Sequence, residues 1–285
     1  MMYRLLVFLL GERLFLKWKY LYRTKRALRL DAPVRYSEKL QWLKLYHRVP
    51  EMTHCADKIK AKETVERLAG PQYVIKTMKV FDRIEDLTVE NLPAPPFILK
   101  TNHDSGGVMA VKSLDQLTTA QLQARFKEKL KNSFYYSNLE WEYKNIVPKI
   151  FAEELIVFEQ GKNLLQDFKF HCFHGEPKFV QVITDRETKV KENWFNAQWE
   201  AQEMHYFSST KAEVAAPANF EEMKELCRTL SQAFPYVRID LYSNGSTILF
   251  GEFTFRPYGG FMNWTPDQAD IDLGNYLQLP SAKRR

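Results

Sequence analysis

A tight β-hairpin near the end of the chain constrains the fold more than any other feature. Residues 237–241 and 248–255 are rich in β-branched and aromatic side chains, and the sequence Asn244-Gly245 lies between them. Both turn residues tolerate positive φ angles, which makes this pair a strong signal for a hairpin turn. The sequence therefore predicts two neighbouring antiparallel strands in this region.

Four polar side chains of this hairpin are expected to share one face of the sheet. Residues two apart on a strand point the same way, so Arg238 lies with Asp240, and Glu252 lies with Thr254. Two carboxylates beside a cation and a hydroxyl suit Mg²⁺ and phosphate, because Mg²⁺ takes one or two carboxylates and leaves its other positions to water and phosphates. A cross-strand ion pair on a solvated hairpin is the alternative interpretation.

Length and composition set broad limits. The chain has 285 residues, of which 45% are hydrophobic, and this suffices for one large domain or two lobes. Its formal net charge of +6 is compatible with an anionic partner but does not require one. The three cysteines lie far apart and form no C-x-x-C pair, which argues against a disulfide framework or a zinc site. A reducing cytoplasm is the expected location.

The first 30 residues combine apolar and basic side chains. The apolar run 5–10 is too short to span a bilayer, and no cleavage site follows it, so we expect no export signal. Residues 14–23 fit two interpretations. They form either an amphipathic helix that packs its apolar stripe on the protein itself, or a helix that lies on an anionic membrane surface.

A polar loop ends the second of three predicted strands in the middle of the chain. Helical patterns cover residues near 35–69 and 117–131, and strands are predicted over 73–81, 97–100 and 108–111. The loop runs from Lys100 to Gly107, and its last two glycines allow a backbone to approach an anion closely. A plain hairpin turn is the alternative.

A second hairpin is predicted from residues 167–173 and 178–186, with Asp167 and Lys169 on one face. A metal site at His171, Cys172 and His174 is not favoured, because alternation places Cys172 on the opposite face from His171. Just before this hairpin, the strand-like segment 148–157 carries two adjacent carboxylates, Glu153 and Glu154. Because carboxylates are costly to bury alone, at least one of them is expected to face a partner.

Several of these segments, in this order, closely resemble the TupA-like ATP-grasp family. The similarity runs from about Tyr36 to Pro280, and the segments that carry it are 97–107, 141–154, 167–177, 237–240 and 251–257. The resemblance implies an α+β ATP-grasp fold, in which two lobes with antiparallel sheets clamp ATP. It divides the chain into an N-terminal helical segment (1–55), a first lobe (56–155) and a second lobe with the metal site (156–285).

The resemblance also implies roles for individual residues. Lys100 would contact the ATP phosphates, and Glu153 or Glu154 would bind the adenine amino group or the ribose. Arg238 would neutralise charge on the transferred phosphoryl group. The loop that would close over the phosphates contains His103, Ser105, Gly106 and Gly107. Lys169 and Arg186 would face the phosphates and the acyl group. The metal site would consist of Asp240, Glu252 and Thr254.

One departure from the family pattern affects the metal site. Many ATP-grasp enzymes carry Glu-x-Asn at the metal, whereas this chain has Glu252-Phe253-Thr254. A hydroxyl is a poorer metal ligand than an amide carbonyl. The number of bound metals therefore stays open, and Thr254 is either a ligand or a residue that supports one.

By the same resemblance, the expected activity is an ATP- and Mg²⁺-dependent carboxylate–amine ligase. It would form an amide through an acylphosphate, on a uronic acid or amino acid of a bacterial capsule, O-antigen or teichuronopeptide-like polymer. The expected partners are ATP, a sugar or polysaccharide acid and an amine, with no nucleic acid. The expected location is the cytoplasm, and peripheral contact with the inner face of the membrane through the basic N-terminus stays open.

Three other functions remain as alternatives. The first is a nucleotide-sugar glycosyltransferase with Asp270-Ile271-Asp272 as its metal motif, although Asp267, Asp270 and Asp272 more simply start or cap a short helix. The second is a sugar kinase on the same scaffold, and the third is a membrane-associated binding protein without activity. Aromatic residues are candidates both for acceptor binding and for the core: Trp194, Phe195, Trp199, Tyr258, Phe261 and Trp264.

Overall fold

The computed structural model describes residues 2–104, 106–131, 133–156, 166–184 and 190–281. The chain forms two compact units. A six-stranded unit contains Met1–Val49, Tyr136–Glu140 and Leu164–Arg285, and a four-stranded unit contains Pro50–Tyr135 and Trp141–Asn163. The predicted lobe boundaries at residues 55 and 155 stay a prediction.

Helices and strands alternate in blocks along the chain. The helices are α1 (Met2–Thr24), α2 (Tyr36–Tyr46), α3 (Pro50–Ala56), α4 (Lys58–Ala69), α5 (Thr119–Lys131), α6 (Phe134–Asn138), α7 (Phe220–Ser231) and α8 (Gln268–Tyr276). The strands are β1 (Thr77–Phe81), β2 (Phe97–Thr101), β3 (Val108–Val111), β4 (Ile150–Glu154), β5 (Gln166–Phe173), β6 (Glu176–Thr184), β7 (Lys191–Asn196), β8 (Ala201–Gln202), β9 (Tyr236–Ser243) and β10 (Ile248–Thr254). Among the described helices, none combines the length and the hydropathy of a transmembrane segment.

The four-stranded unit contains an antiparallel sheet in the order β1-β4-β2-β3. Alternation along β2 buries Phe97 and Leu99, which pack against Leu122 and Phe126 of α5. The first predicted strand begins four residues late, at Thr77, because residues 71–73 form a short 3₁₀ turn after Gly70. The sheet thus has a core on the side of α5.

The helical pattern predicted over 35–69 corresponds to three helices. Asp57 separates the last two, and its carboxylate accepts a hydrogen bond from the backbone N–H of Ile59 at 3.0 Å, which caps α4. Gly70, with φ of 107°, ends the helix. This capping fixes the start of α4 and therefore the direction in which the Lys62 side chain points from the helix.

The six-stranded unit contains a second antiparallel sheet, in the order β10-β9-β5-β6-β7-β8. One face is apolar and packs on α7, where the ring centroids of Phe170 and Phe220 are 6.0 Å apart. The opposite face carries most of the predicted site residues of this unit. A bulge at Gly251 shifts the register so that Glu252 lies opposite Asp240.

Candidate functional site

A buried carboxylate with two lysines forms the polar centre of the four-stranded unit. Glu153 lies on β4 and accepts a hydrogen bond from Lys62 of α4 at 2.8 Å, and it forms a close ion pair with Lys100 of β2. Lys62 also donates to the backbone oxygen of Ile75 at 2.8 Å and to the hydroxyl of Thr77 at 2.9 Å. The predicted phosphate contact, Lys100, is therefore held by a carboxylate on the neighbouring strand.

The electrostatics of this cluster favour the charged form of Glu153. Burial alone would raise the pKa of Glu153, but the charges and hydrogen bonds of Lys100 and Lys62 outweigh burial and lower that pKa. Burial lowers the pKa of Lys62, and the charge of Glu153 opposes this. Glu154, the next residue, is exposed at the end of β4.

The polar loop joins β2 to β3, as the hairpin alternative predicts, and several side chains hold it in place. Thr101 donates a close hydrogen bond to Asp104, and Lys58 donates to the backbone oxygen of Asp104 at 2.6 Å. The Nε2 atom of His103 lies 3.2 Å from the backbone oxygen of Lys129. A loop of this kind can present backbone N–H groups to an anion.

Gly107 is the position in this loop where only glycine fits. A Cβ atom there would lie 2.0 Å from the hydroxyl oxygen of Thr101 and 2.8 Å from a carboxylate oxygen of Asp104. The preceding Gly106 adopts a φ of 88°. The loop therefore depends on both predicted glycines, while Ser105 lies outside the described residues.

In the six-stranded unit, a row of polar side chains crosses the sheet. Glu252 pairs with Asp240, Asp240 with Lys169, and Lys169 with Gln181, each on the neighbouring strand. Gln181 pairs in turn with Trp194. Directly paired residues share a face, so the row runs from β10 to β7 on the side of the sheet away from α7.

Asp240 is the most strongly held member of this row. Its two oxygens accept hydrogen bonds from Arg238 at 2.6 and 2.8 Å, and Lys169 donates a further close one. Lys169 also bonds Asp167 at 2.7 Å. Burial would raise the pKa of Asp240, but the charges of Arg238 and Lys169 outweigh burial and lower it. The convergence predicted from strand alternation is confirmed at this spot.

Glu252 and Thr254 complete the group. Arg238 donates to the hydroxyl of Thr254 at 3.1 Å and to Glu252 at 3.4 Å, and the Thr254 hydroxyl donates to Glu252 at 3.2 Å. The Glu252 side chain is 39% exposed, whereas that of Asp240 is 4% exposed. Thr254 thus links Arg238 to Glu252, which favours a supporting role for its hydroxyl.

This donor set fits Mg²⁺. Asp240 and Glu252 supply hard oxygens from directly opposite positions, and Mg²⁺ commonly uses one or two carboxylates with water and phosphates. Within the described residues, no group of three or more His, Cys, Asp or Glu side chains is arranged to hold a metal. With water and phosphates in the other positions, two carboxylates are the number of protein ligands that Mg²⁺ commonly uses.

The two histidines and the cysteine of the second hairpin have separate partners. His171 is buried, and its Nδ1 atom lies 2.8 Å from the hydroxyl of Tyr236. Cys172 is on the opposite face, as alternation predicts, while His174 accepts a hydrogen bond from the backbone N–H of Gln278 at 3.0 Å. Arg186, predicted to face the acyl group, lies outside the described residues.

The Asp-x-Asp sequence near the end of the chain has a structural role. Asp270 is buried on α8 and accepts hydrogen bonds from the backbone N–H and the hydroxyl of Ser37, at 2.8 and 2.6 Å. Ser37 is the second residue of α2, so Asp270 satisfies a donor at the start of that helix. Asp272 is exposed and bonds Gln268 at 2.9 Å. The two carboxylates do not form one site.

Sequence reasoning missed two charged residues beside these groups. Lys62 belongs to a charged helical run that looks solvent-exposed, and only packing brings it to Glu153. Glu192, on β7, is fully buried and accepts hydrogen bonds from Gln181, Trp194 and the backbone N–H groups of residues 207 and 208, at 2.7 to 2.8 Å. Alternation of Glu192 with Trp194 is the only signal in the sequence that could have indicated it.

The aromatic candidates divide between core and surface. Tyr258 is exposed, and Trp199 is half-buried and stacks on Phe195 with centroids 4.3 Å apart. The structure supports the core interpretation for the buried ones: Trp194, Phe195, Phe261 and Trp264.

Comparison with known proteins identifies the family. Residues 38–278 match the family described as TupA-like ATPgrasp, so the chain belongs to that family. This membership confirms the predicted family and, with the two antiparallel sheets, the predicted α+β ATP-grasp fold. The chain is accordingly an ATP-grasp enzyme, as predicted.

Solved structures with similarity to this chain include ATP-grasp ligases. The ligase PsnB, complexed with minimal precursor, Mg and ADP, is 12% identical over 85% of this chain, with a TM-score of 0.44. D-alanine–D-alanine ligases from Bacillus anthracis and Helicobacter pylori are 16% and 14% identical over 84% and 87% of this chain, with TM-scores of 0.43 and 0.47. The chain spans 66% of PsnB, 67% of the B. anthracis ligase and 68% of the H. pylori ligase. No curated protein matches this chain.

Proposed function

We propose that this protein is an ATP- and Mg²⁺-dependent carboxylate–amine ligase that forms an amide through an acylphosphate. The observation that carries the proposal is the group of Lys169, Arg238, Asp240 and Glu252 on one face of the six-stranded sheet. Cations and paired carboxylates are the groups that phosphoryl transfer needs, since catalysis depends on alignment and on charge stabilisation. The route requires no protein nucleophile.

Asp240 and Glu252 would hold Mg²⁺, and Thr254 would orient Glu252 and Arg238 through its hydroxyl. When bound, the metal supplies charge neutralisation on the phosphate oxygens. Arg238 and Lys169 would counter negative charge on the transferred phosphoryl group, and Arg186 would bind the acyl group. Asp167 supports this role for Lys169, because it holds the ammonium group at 2.7 Å.

The Glu153 cluster would bind the nucleotide from the four-stranded unit. Lys100 would contact the phosphates, with Glu153 orienting its ammonium group together with that of Lys62. The loop with His103, Ser105, Gly106 and Gly107 would present backbone N–H groups to the phosphates. The exposed Glu154 is the better placed of the two carboxylates to bind the adenine amino group or the ribose.

The proposed reaction has two steps. A substrate carboxylate oxygen attacks the γ-phosphorus of ATP, the bond from that phosphorus to ADP breaks, and an acylphosphate forms. An amine then attacks the acyl carbon, the acyl carbon–oxygen bond breaks, phosphate leaves and the nitrogen loses a proton. The products are the amide, ADP and phosphate.

For the substrates, we propose a uronic acid or amino acid of a bacterial surface polymer and an amine such as an amino acid. The resemblance to the TupA-like ATP-grasp family, which implies a setting in bacterial surface-polysaccharide synthesis and a polymer of uronic acid and amino acid, supports this class. A cytoplasmic location fits the use of ATP and the three cysteines, which are buried and free.

Isotope transfer tests the mechanism. The protein is incubated with Mg-ATP, candidate amines and uronic acids that carry ¹⁸O in the carboxylate. A ligase sustains ADP release over many turnovers only when both substrates are present, forms the amide, and transfers one ¹⁸O to inorganic phosphate. ADP release with a phosphorylated sugar hydroxyl would instead establish the sugar kinase, and turnover of a nucleotide sugar without ATP would establish the glycosyltransferase.

A further inference from the structure

Two exposed apolar rows lie on α1, one before and one after a break at Gly11, where φ is 73°. The chain turns back at this break, since the ring centroids of Tyr3 and Phe15 are 6.0 Å apart. The first row contains Leu5, Phe8 and Leu9, and the second contains Leu14, Trp18, Leu21 and Tyr22. Within the second row, spacings of four, seven and eight residues place the side chains on one side of a helix. Isolated exposed apolar residues need no explanation, but a row of four on one side of a helix does.

The opposite side of the same helix is packed against the protein. Phe15, Leu16 and Tyr20 are buried, and the Tyr20 hydroxyl lies 2.8 Å from that of Ser37 in α2. Lys19 is also buried and donates to the backbone oxygen of Ser137. The interpretation of a helix packed on its own protein is therefore correct for one side of α1 and leaves the other side uncovered.

Positive charge is concentrated in the same part of the chain. Residues 1–30 hold eight Lys and Arg residues and one Glu, a formal charge of +7. The other 255 residues hold 33 Lys and Arg residues against 34 Asp and Glu residues. The excess positive charge of the protein thus belongs to α1 and the residues that follow it.

Several of these cations are available to an anionic surface. Within the described residues, Arg4, Lys17, Lys25 and Arg29 form no ion pair, whereas Arg13 and Arg26 pair with Asp31 and Asp267. Lys17 lies three residues after Leu14 and four before Leu21, so it flanks the apolar row. The Trp18 and Tyr22 rings stack with centroids 6.0 Å apart, and Lys25 lies 5.1 Å from the Tyr22 ring.

We propose that the second row of α1, formed by Leu14, Trp18, Leu21 and Tyr22, binds the surface of an anionic lipid bilayer, with the helical segment after Gly11 lying in the plane of the interface. The exposed leucines would enter the boundary between headgroups and acyl chains, Trp and Tyr suit that boundary, and the unpaired cations would bind anionic headgroups. A second copy of the chain fits less well, because an isologous contact through this face would bring two strongly positive segments together.

Vesicle co-sedimentation tests the proposal with the full chain. Vesicles of phosphatidylcholine with about 30% phosphatidylglycerol are compared with pure phosphatidylcholine. We expect binding to the anionic vesicles that falls as salt is raised to about 1 M, and weak binding to the neutral ones. Lys17→Gln combined with Lys25→Gln should lower the partition coefficient about fivefold for each lost cation.

The apolar contribution is tested by Leu14→Glu, which should lower vesicle binding at least about tenfold. Leu68→Glu is the matched control, since Leu68 is an exposed leucine on α4, and it should bind as the wild type does. Unchanged melting temperatures would show that both variants fold. Equal binding by Leu14→Glu and the wild type would overturn the proposal. It would also be overturned by a wild-type dimer that Leu14→Glu dissociates and that does not bind vesicles.

Discussion

Glu252 lies directly opposite Asp240 on the neighbouring strand, although a bulge interrupts the ladder just before it. The bulge occurs at Gly251, where a Cβ atom would lie 3.0 Å from the backbone oxygen of Asp240. Glycine therefore permits the close approach of the two strands, and the shifted register brings the two carboxylates to the same row. This pairing is the geometric basis of the proposed metal site.

The Glu153 cluster predicts a specific pH dependence of stability. Replacing Glu153 with Gln leaves Lys62 buried without its carboxylate, which should cost about 3–5 kcal/mol of unfolding free energy at pH 7. The pKa of Glu153 is lowered in the folded state, so its contribution is present above the unfolded value of about 4.3 and is lost as the pH falls through the folded value.

The measurement for this cluster is urea unfolding of both proteins from neutral pH to about pH 3. The difference between wild type and Glu153→Gln should shrink in the acid range. Glu154→Gln serves as the control and should change stability little, because Glu154 is exposed. A difference between wild type and Glu153→Gln that did not depend on pH would contradict the assignment.

Glu192 is predicted to stabilise the six-stranded unit. Glu192→Gln keeps the shape of the side chain but turns an amide NH₂ group toward groups that are themselves donors, so at least one buried donor loses its acceptor. We expect a loss of about 2–4 kcal/mol in urea unfolding. Glu200→Gln, at an exposed position on the adjoining turn, should be nearly neutral. A neutral Glu192→Gln would show that the carboxylate is not needed there.

Gly107→Ala is predicted to distort the loop between β2 and β3, because the new Cβ atom would overlap the Thr101 hydroxyl. If the loop binds phosphate, this change should weaken Mg-ATP binding by more than about tenfold. Gly245→Ala is the control. It adds a side chain at φ of 93° with no atom within 4 Å, and should cost about 1–2 kcal/mol without affecting ATP. Equal ATP affinity in Gly107→Ala and wild type, measured by calorimetry, would show that the loop does not bind the ATP phosphates.

The two carboxylates of the Asp-x-Asp sequence are predicted to differ in their effect on stability, and neither is predicted to bind the nucleotide. Asp270→Ala removes the acceptor for the Ser37 N–H at the start of α2 and should destabilise the protein by about 1–2 kcal/mol. Asp272→Ala should have little effect on stability, and neither change should abolish stabilisation by Mg-ATP in thermal unfolding. Loss of nucleotide binding in the stable Asp272→Ala variant would instead favour a metal motif at these residues.

The local parts of the site could be predicted from the sequence. Alternation and a strong turn sequence placed Arg238, Asp240, Glu252 and Thr254 together, because strand geometry relates residues two apart and hairpin partners directly. The bulge at Gly251 was not predicted, since one extra residue in a strand leaves little trace in the pattern. The predicted helix over 117–131 and the strands of both hairpins agree with the structure to within a few residues.

Contacts that depend on packing could not be predicted. Lys62 meets Glu153 across 91 residues of sequence, and its helix carries so many charges that no single lysine looks buried. The contacts of Glu192 could not be predicted either, because two of its four hydrogen-bond donors are backbone N–H groups of a segment with no regular structure. Periodicity describes one element at a time, whereas these contacts arise between elements.

Thermal unfolding with and without Mg-ATP tests the central claim most directly. A ligand at a hundred times its Kd adds about 2.7 kcal/mol of stability. We predict that Mg-ATP stabilises the wild type, that Mg-UDP-sugars do not, and that Glu252→Gln, whose side chain is partly exposed, folds normally but loses most of this stabilisation. Stabilisation by a UDP-sugar alone, or full stabilisation of Glu252→Gln by Mg-ATP, would contradict the proposed ligase site.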